Sequence, residues 1–427
     1  MMKTALFLPL AFAWLVALPS GVDARDWYFL PDGAGEKSGA AWAHAADPAR
    51  LQDVVDALQP GDRVLLGSGE YRDVKLVLKS SGIAGKPITI QGQDRGAGLP
   101  VLVGNWELAK PDKGPTAMVV APGSSHGVVR DLVIRRYQHG IRAAVVPDGE
   151  GPRTGWRFEN VDMDHIRHGF YLSGFTDLRI SDCDLKRYSK HGFRWEAACS
   201  DVVVERCTAD CSEGDQKWEE QTESFPFGFI VNDGGVPNRN IVFDGCVARN
   251  NLMPLQKTRY KNGDGFVAEG NAENVAFKRC RSVRNQDGGF DLKVKDVRLE
   301  DCIAIGNKRD FRIWTTGRLS NCYSGWGGEG IWTQGGLVVA EQCTIAGWKN
   351  RPVSTEDAPV GVELRNCLLA ADGGKSDPEG MKNVKLIDCV QTPDLTNAGL
   401  VRLPENWSGD TLELTSSKHP AHGYKAR

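Results

Sequence analysis

The sequence predicts an all-β fold, a single right-handed parallel β-helix with a short N-terminal capping helix. Three observations predict it. Nine cysteines recur after strand-like runs: Cys183, Cys207, Cys246, Cys280, Cys302, Cys322, Cys343, Cys367 and Cys389. A glycine–aromatic motif keeps the same beat, in His168-Gly169-Phe170, His191-Gly192-Phe193, Phe227-Gly228-Phe229, Asp264-Gly265-Phe266 and Gly288-Gly289-Phe290. Arg309-Asp310-Phe311 and Glu329-Gly330-Ile331 are looser copies, and the apolar spacing between motifs is two rather than 3.6.

Several cysteine intervals fall between about 20 and 24 residues, the scale of one solenoid coil. Each coil then reads as a glycine turn, a strand with an inward aromatic residue, a second turn, and a strand ending at the cysteine ladder. No coil buries its apolar face alone, so coils stack with equivalent residues about 4.8 Å apart. The ladder cysteines are expected to be buried small hydrophobes, since free cysteine packs that way. With eleven cysteines the count is odd; Cys199 and Cys211 fall off the ladder and are the candidates for a disulfide.

A helix is expected at residues 49–58, with Asp47 as cap, Pro48 at the first position, and Leu51, Val54, Val55 and Leu58 on one face. It would cover the open end of the core. Two motif intervals are long, and their extra residues are expected to leave the stack as loops, an acidic one at 212–225 with Trp218 and a basic one at 250–263 with Lys257, Arg259, Tyr260 and Lys261. An irregular C-terminal tail completes the body.

Residues 1–24 read as an export signal, with Lys3, an apolar run from Ala5 to Ala17, and small residues at Val22-Asp23-Ala24. The mature chain, 25–427, is expected to be one secreted or periplasmic domain, because no linker or composition shift divides it. No later segment approaches the roughly 20 apolar residues a membrane span needs. A formal charge of −3 gives no basic excess to suggest nucleic acid. A monomer is expected.

Trp27 to Leu30, Pro60-Gly61-Asp62, Gly69-Glu70-Tyr71 and the run from Ser81 to Ile90 resemble the N-terminal coils of β-helical polysaccharide lyases. Asn262-Gly263-Asp264-Gly265-Phe266 and Asn285-Gln286-Asp287-Gly288-Gly289-Phe290-Asp291 resemble the calcium-binding segment of family nine pectate lyases. The resemblance implies calcium as cofactor, Asp264, Asp287 and Asp291 as its ligands, and Arg312 at the position of the proton-abstracting lysine. Two departures accompany it. Gly288 stands where that pattern has aspartate, and Arg312 stands where it has lysine.

Alternation assigns faces independently of any family. With Phe266, Phe290 and Phe311 inward, residues one and three positions later point outward. The outer columns are then Tyr171/Ser173, Arg194/Glu196, Ile230/Asn232, Val267/Glu269, Asp291/Lys293, Arg312/Trp314 and Trp332/Gln334. Aromatic rings pack on sugar faces and cations pair with carboxylates, so an acidic polysaccharide is the expected partner, with Tyr171, Arg194, Glu269, Trp314 and Trp332 as substrate-binding residues. The bland reading makes Asp291–Arg312 and Glu269–Lys293 ordinary ion pairs between coils. Three carboxylates within two coils repel unless a cation joins them, and calcium takes six to eight oxygen ligands.

The expected reaction is calcium-assisted β-elimination from a uronate, which removes the proton beside the carboxylate. Arg312 and Lys293 are the catalytic candidates. Resemblance favours Arg312 as base; acid–base chemistry favours Lys293, with Arg312 holding the substrate carboxylate. A hydrolase using two of Glu196, Glu269, Asp264 and Asp291, and a non-catalytic glycan-binding protein of exopolysaccharide handling, stay open. His139, His168 and His191 each precede a glycine and should stack along one edge, serving turns or substrate binding rather than a metal.

Overall fold

Alternating apolar residues give every strand one greasy face, and strands of equal pattern bury that face by stacking in parallel. The computed structural model of the chain describes residues 24–211, 225–252, 262–356, 359–372, 381–403 and 414–426. The segment expected as an export signal, apart from Ala24, and most of both insertions, including Trp218, Lys257, Arg259, Tyr260 and Lys261, lie outside the described residues. Within them the chain winds as a right-handed parallel β-helix with three strands per coil. One coil runs through Asp264–Ala268, Glu273–Lys278 and Arg281–Val283. The next runs through Gly288–Leu292, Val297–Glu300 and Ile303–Ile305, and its strands pair in parallel with those of the coil before.

Like stacks on like inside. Phe193, Phe229, Phe266, Phe290 and Phe311 form one column with ring centroids 4.6, 4.9, 4.9 and 5.3 Å apart. Such pairs contribute about 0.5–1.5 kcal/mol beyond the area they bury. Phe243 and Phe277 stack at 5.1 Å as a second column meeting the first edge-on.

The cysteine ladder is confirmed, and the backbone explains its regularity. The residue before each ladder cysteine is left-handed: Asp182 (φ 55°), Arg206 (50°), Gly245 (64°), Arg279 (50°), Asp301 (54°), Asn321 (51°), Gln342 (56°), Asn366 (50°) and Asp388 (49°). That conformation is uncommon outside glycine and turns the chain sharply. Here it swings each thiol into the core, where Sγ donates to a carbonyl of the preceding coil, as from Cys280 to Phe243 (3.5 Å) and Cys302 to Phe277 (3.5 Å). Cys199 and Cys211 are not a pair: both are free and buried, their thiols donating to Leu172 and Tyr188 carbonyls.

A second internal column is polar. The Tyr188 hydroxyl donates to Asn251 (2.5 Å), Asn251 to Asn285 (2.8 Å), Asn285 to Asn307 (2.9 Å) and Asn307 to Asp310 (2.9 Å), whose other oxygen accepts from Ser324 (2.7 Å). Buried polar groups persist only when partnered in this way. Burial pushes the Asp310 carboxyl up to about 8 although these bonds work to lower it.

The N-terminal end is capped as expected. Asp47 accepts from the Ala49 amide (3.1 Å), a single tight turn at Pro48–Arg50 leads into the helix Leu51–Ala57, and Leu51, Val54 and Val55 enter the core. The tail is more than irregular trailing chain. Leu395, Leu400, Leu403, Leu414 and Tyr424 cover the outer faces of Ile303, Ile305, Tyr323 and Leu368. Among the described residues no helix is long and apolar enough to cross a membrane.

Candidate functional site

The outward column is set by the same register that stacks the phenylalanines. Arg142, Tyr171, Arg194, Ile230, Val267, Asp291, Arg312, Trp332 and Ser354 are neighbours on successive coils. The expected register of faces therefore holds for the first outward position in every coil, although Ile230, Val267, Asp291 and Trp332, expected to be exposed, are buried. It fails once at the second, where a register shift sets Ser173 opposite Ala197 instead of Glu196. Tyr171 and Arg312 lie five coils apart, about 24 Å at 4.8 Å per step, so the candidate residues divide between two ends of one face.

At the C-terminal end Asp264, Asp287, Asp291, Lys293 and Arg312 come together. Asp287 is fully buried and enclosed by cations: Arg309 Nη1 at 3.0 Å, Arg312 Nη1 at 3.1 Å and Lys308 Nζ at 3.4 Å. Arg312 Nη1 also stands 3.6 Å from Asp291 Oδ1, which accepts from the Trp314 indole at 2.6 Å. Asp264 Oδ1 accepts from the Gly288 amide at 2.5 Å, while its Oδ2 is buried with no hydrogen-bond partner. Burial, and then the charges of Asp291 and Asp287, hold the Asp264 carboxyl well above the usual range; burial also raises Asp291, against the pull of Arg312. Lys293 Nζ lies 2.9 and 3.0 Å from the two Glu269 oxygens and 3.9 Å from Asp291. Burial works to lower its pKa, yet Glu269 and Asp291 prevail and hold the ammonium above its ordinary value.

Three members of this cluster were not read from the sequence. Lys308 and Arg309 precede Phe311, and Glu329, which accepts from Arg309 (3.1 Å), precedes Ile331. The face assignment followed only residues after each aromatic, whereas these sit two or three positions before it. The register Gly288↔Arg309↔Glu329 shows that Arg309 and Glu329 form a column of their own, with Lys308 the residue before it in the chain.

The aromatic residues need one correction. Trp332, expected as an exposed platform, is 2% exposed. Trp314 meets it edge-on at 4.9 Å, and the Arg312 and Arg309 guanidinium groups lie 5.0 and 5.5 Å from its ring. Trp314 is the accessible ring, with Arg312 4.4 Å from its centroid. Arg312 Nε is buried and makes no hydrogen bond.

At the other end the three histidines stack as expected. His139 and His168 lie parallel at 4.9 Å, His168 Nδ1 approaches His191 Nδ1 at 3.1 Å, and Tyr171 packs edge-on to His139 and His168. Burial, aided by Arg142 and Arg167, lowers His139 to about 3, and burial also lowers His168 and His191. Burial thus disfavours the charged form of all three imidazoles. Arg194 lies over Tyr171 (5.1 Å) and pairs with Glu196. Ile230 and Val267, each 2% exposed, separate this end from the carboxylate cluster.

Calcium needs several hard oxygen donors around one point. Asp264 Oδ2 is a hard oxygen without a partner, which suits the ion. Asp287 does not suit it, since three cations already engage that carboxylate, and Arg312 Nη1 stands between Asp287 and Asp291. Gly288 is packed tightly: a Cβ there would lie 3.0 Å from Asp264 Oδ1 and from Asp291 Cβ. Among the described residues no group of three histidine, cysteine or acidic side chains has a metal-holding arrangement. The side chains as arranged do not fit the ion.

The family model described as right handed beta helix region matches residues 150–323, and the chondroitinase B model matches residues 46–104. No curated protein matches the chain. Among solved structures, the A-module of the Azotobacter vinelandii mannuronan C-5 epimerase AlgE6 is similar at 15% identity, over 81% of this chain and 95% of that one, with a TM-score of 0.60. A mannuronic acid specific polysaccharide family 6 lyase from human gut microbiota is similar at 12% identity, over 87% and 92%, with a TM-score of 0.56. The pectate lyase Pel9A aligns at 14% identity over 95% and 89%, with a TM-score of 0.49. The chain shares its fold with the first two of these structures.

Proposed function

We propose that the chain is a polysaccharide lyase that cleaves a uronate-containing polymer by β-elimination on its outward face, between Lys293 and Trp332. The observation that carries this reading is Arg312, a guanidinium steadied on one edge by Asp287 and Asp291 and laid over the accessible Trp314 ring. A sugar stacked on Trp314 would bring its carboxylate toward the part of that guanidinium that stays exposed, and a charge-assisted bond there is stronger than a neutral one. The relatives named for mannuronan and mannuronic acid support the substrate class.

Elimination requires that charge developing on the uronate carboxylate be neutralised as the adjacent proton leaves. Arg312 supplies that charge permanently and is too weak an acid to serve as base. The base is then Lys293. Because Glu269 and Asp291 hold its ammonium above the ordinary value, it must first give its proton to solvent; the free amine then takes the proton beside the substrate carboxylate, the bond to the glycosidic oxygen breaks as the carbon–carbon double bond forms, and the leaving oxygen takes a proton from water. Tyr171 and Arg194, farther along the face, would hold a distant sugar of the same polymer.

Incubation with alginate, pectate and bacterial exopolysaccharides, followed by ultraviolet absorbance, tests the reading. Unsaturated chain ends are expected from at least one uronate polymer. Saturated reducing ends would instead support hydrolysis, and C5 inversion without chain scission would support epimerisation by the same proton abstraction. Absence of any product across the panel contradicts the proposal.

A further inference from the structure

We infer that the cation closing the Asp264, Asp287 and Asp291 cluster is the guanidinium of Arg312, and that this site works without a bound divalent metal. The inference concerns the site and needs no particular reaction to be right. It explains two departures as one change. An aspartate at 288 would force its Cβ to 3.0 Å from Asp264 Oδ1 and Asp291 Cβ, so the cluster would have to open. With Gly288 it closes: the amide at 288 bonds Asp264, and the backbone can come this near only because no side chain intervenes.

Of the five carboxylates here, all but Asp264 already lie within 4.0 Å of a cation. Lys293, Lys308, Arg309 and Arg312 face Asp264, Asp287, Asp291, Glu269 and Glu329, and each cation lies within 4.0 Å of at least one carboxylate. A calcium ion at its usual distance of about 2.3–2.6 Å from Asp287 would meet Arg309, Arg312 and Lys308 around the same two oxygens. Lysine at 312 would be a flexible point charge able to withdraw; arginine presents a planar fork that stays charged and spans Asp287 and Asp291 together.

The test uses the full chain, stripped with chelator, in thermal melts and titration calorimetry with calcium, magnesium and sodium chloride at matched ionic strength. Wild-type protein should melt at the same temperature in chelator and in millimolar calcium and release no saturable binding heat. Arg312→Ala, which removes the cation between Asp287 and Asp291 beside the unpartnered Asp264 oxygen, should gain a saturable, calcium-specific rise in melting temperature. Should that variant fail to fold, Gly288→Asp combined with Arg312→Lys restores the metal-binding pattern and should show the same gain. Stoichiometric calcium binding by wild type that Asp264→Asn abolishes overturns the inference. So does failure of the folded variant to acquire any affinity.

Discussion

The inner and outer faces of one strand column follow opposite rules. Inward, Phe229, Phe266, Phe290 and Phe311 repeat the same ring coil after coil, and each thiol of the cysteine ladder repeats the same bond to the coil before. Outward, the neighbouring column changes at every step, from Val267 to Asp291 to Arg312 to Trp332. Repetition serves stacking, since identical shapes at one spacing pack without voids. Variation serves no such purpose, and where a column abandons repetition it gathers groups that differ in charge and polarity. The histidine stack lies between these limits: His139, His168 and His191 repeat, yet they adjoin Tyr171 and Arg194, which do not.

Substitutions on the two faces should therefore separate activity from stability. Lys293→Met should reduce turnover by at least about 100-fold, the lower range for loss of an acid–base group. Its melting temperature should stay close to wild type, because a partly exposed ion pair contributes about 1 kcal/mol or less. Phe290→Ala should do the reverse, costing about 3–5 kcal/mol in denaturant unfolding, with activity per folded molecule retained. Equal loss of turnover and stability in both variants would break the distinction between faces.

The polar column sharpens it through pH. Asp310 stays neutral in the folded chain up to about 8, against an ordinary value of 3.8. Between those values unfolding releases a proton, so stability is full below 3.8 and falls as pH rises toward 8. Asp310→Asn should flatten that part of the stability profile, measured by denaturant melts from pH 4 to 8. A slope unchanged in the variant would show that Asp310 is not its source. The smallest effect is expected at the ladder, where Cys280→Ala should cost about 1 kcal/mol and added reductant should leave the wild-type melting temperature unmoved, since the thiols are unpaired.

Most of the fold was legible because a solenoid writes its geometry into its period. The stacking of Phe266 on Phe290 and Phe311 and the burial of eight of the nine ladder thiols, Cys389 being only partly covered, followed from spacing alone. The polar column was legible too, but went unread: Asn251, Asn285 and Asn307 each stand five residues after a ladder cysteine, and Tyr188 stands five after Cys183. At the site, alternation gave the direction of Asp291, Arg312 and Trp332 but not their cover. Direction depends on the strand itself, whereas cover depends on how far long side chains from neighbouring coils reach. Arg309 and Arg312 fold over Trp332, which no local pattern records, and the same reach brings three cations onto Asp287.

A crystal structure of Lys293→Met soaked with a saturated oligouronate tests the central claim most directly. It should show a sugar ring against Trp314, with its carboxylate bonded to Arg312 and the chain running along the outward column. An oligouronate bound elsewhere, with Arg312 still paired only to Asp287 and Asp291 and the Trp314 face bare, would contradict it.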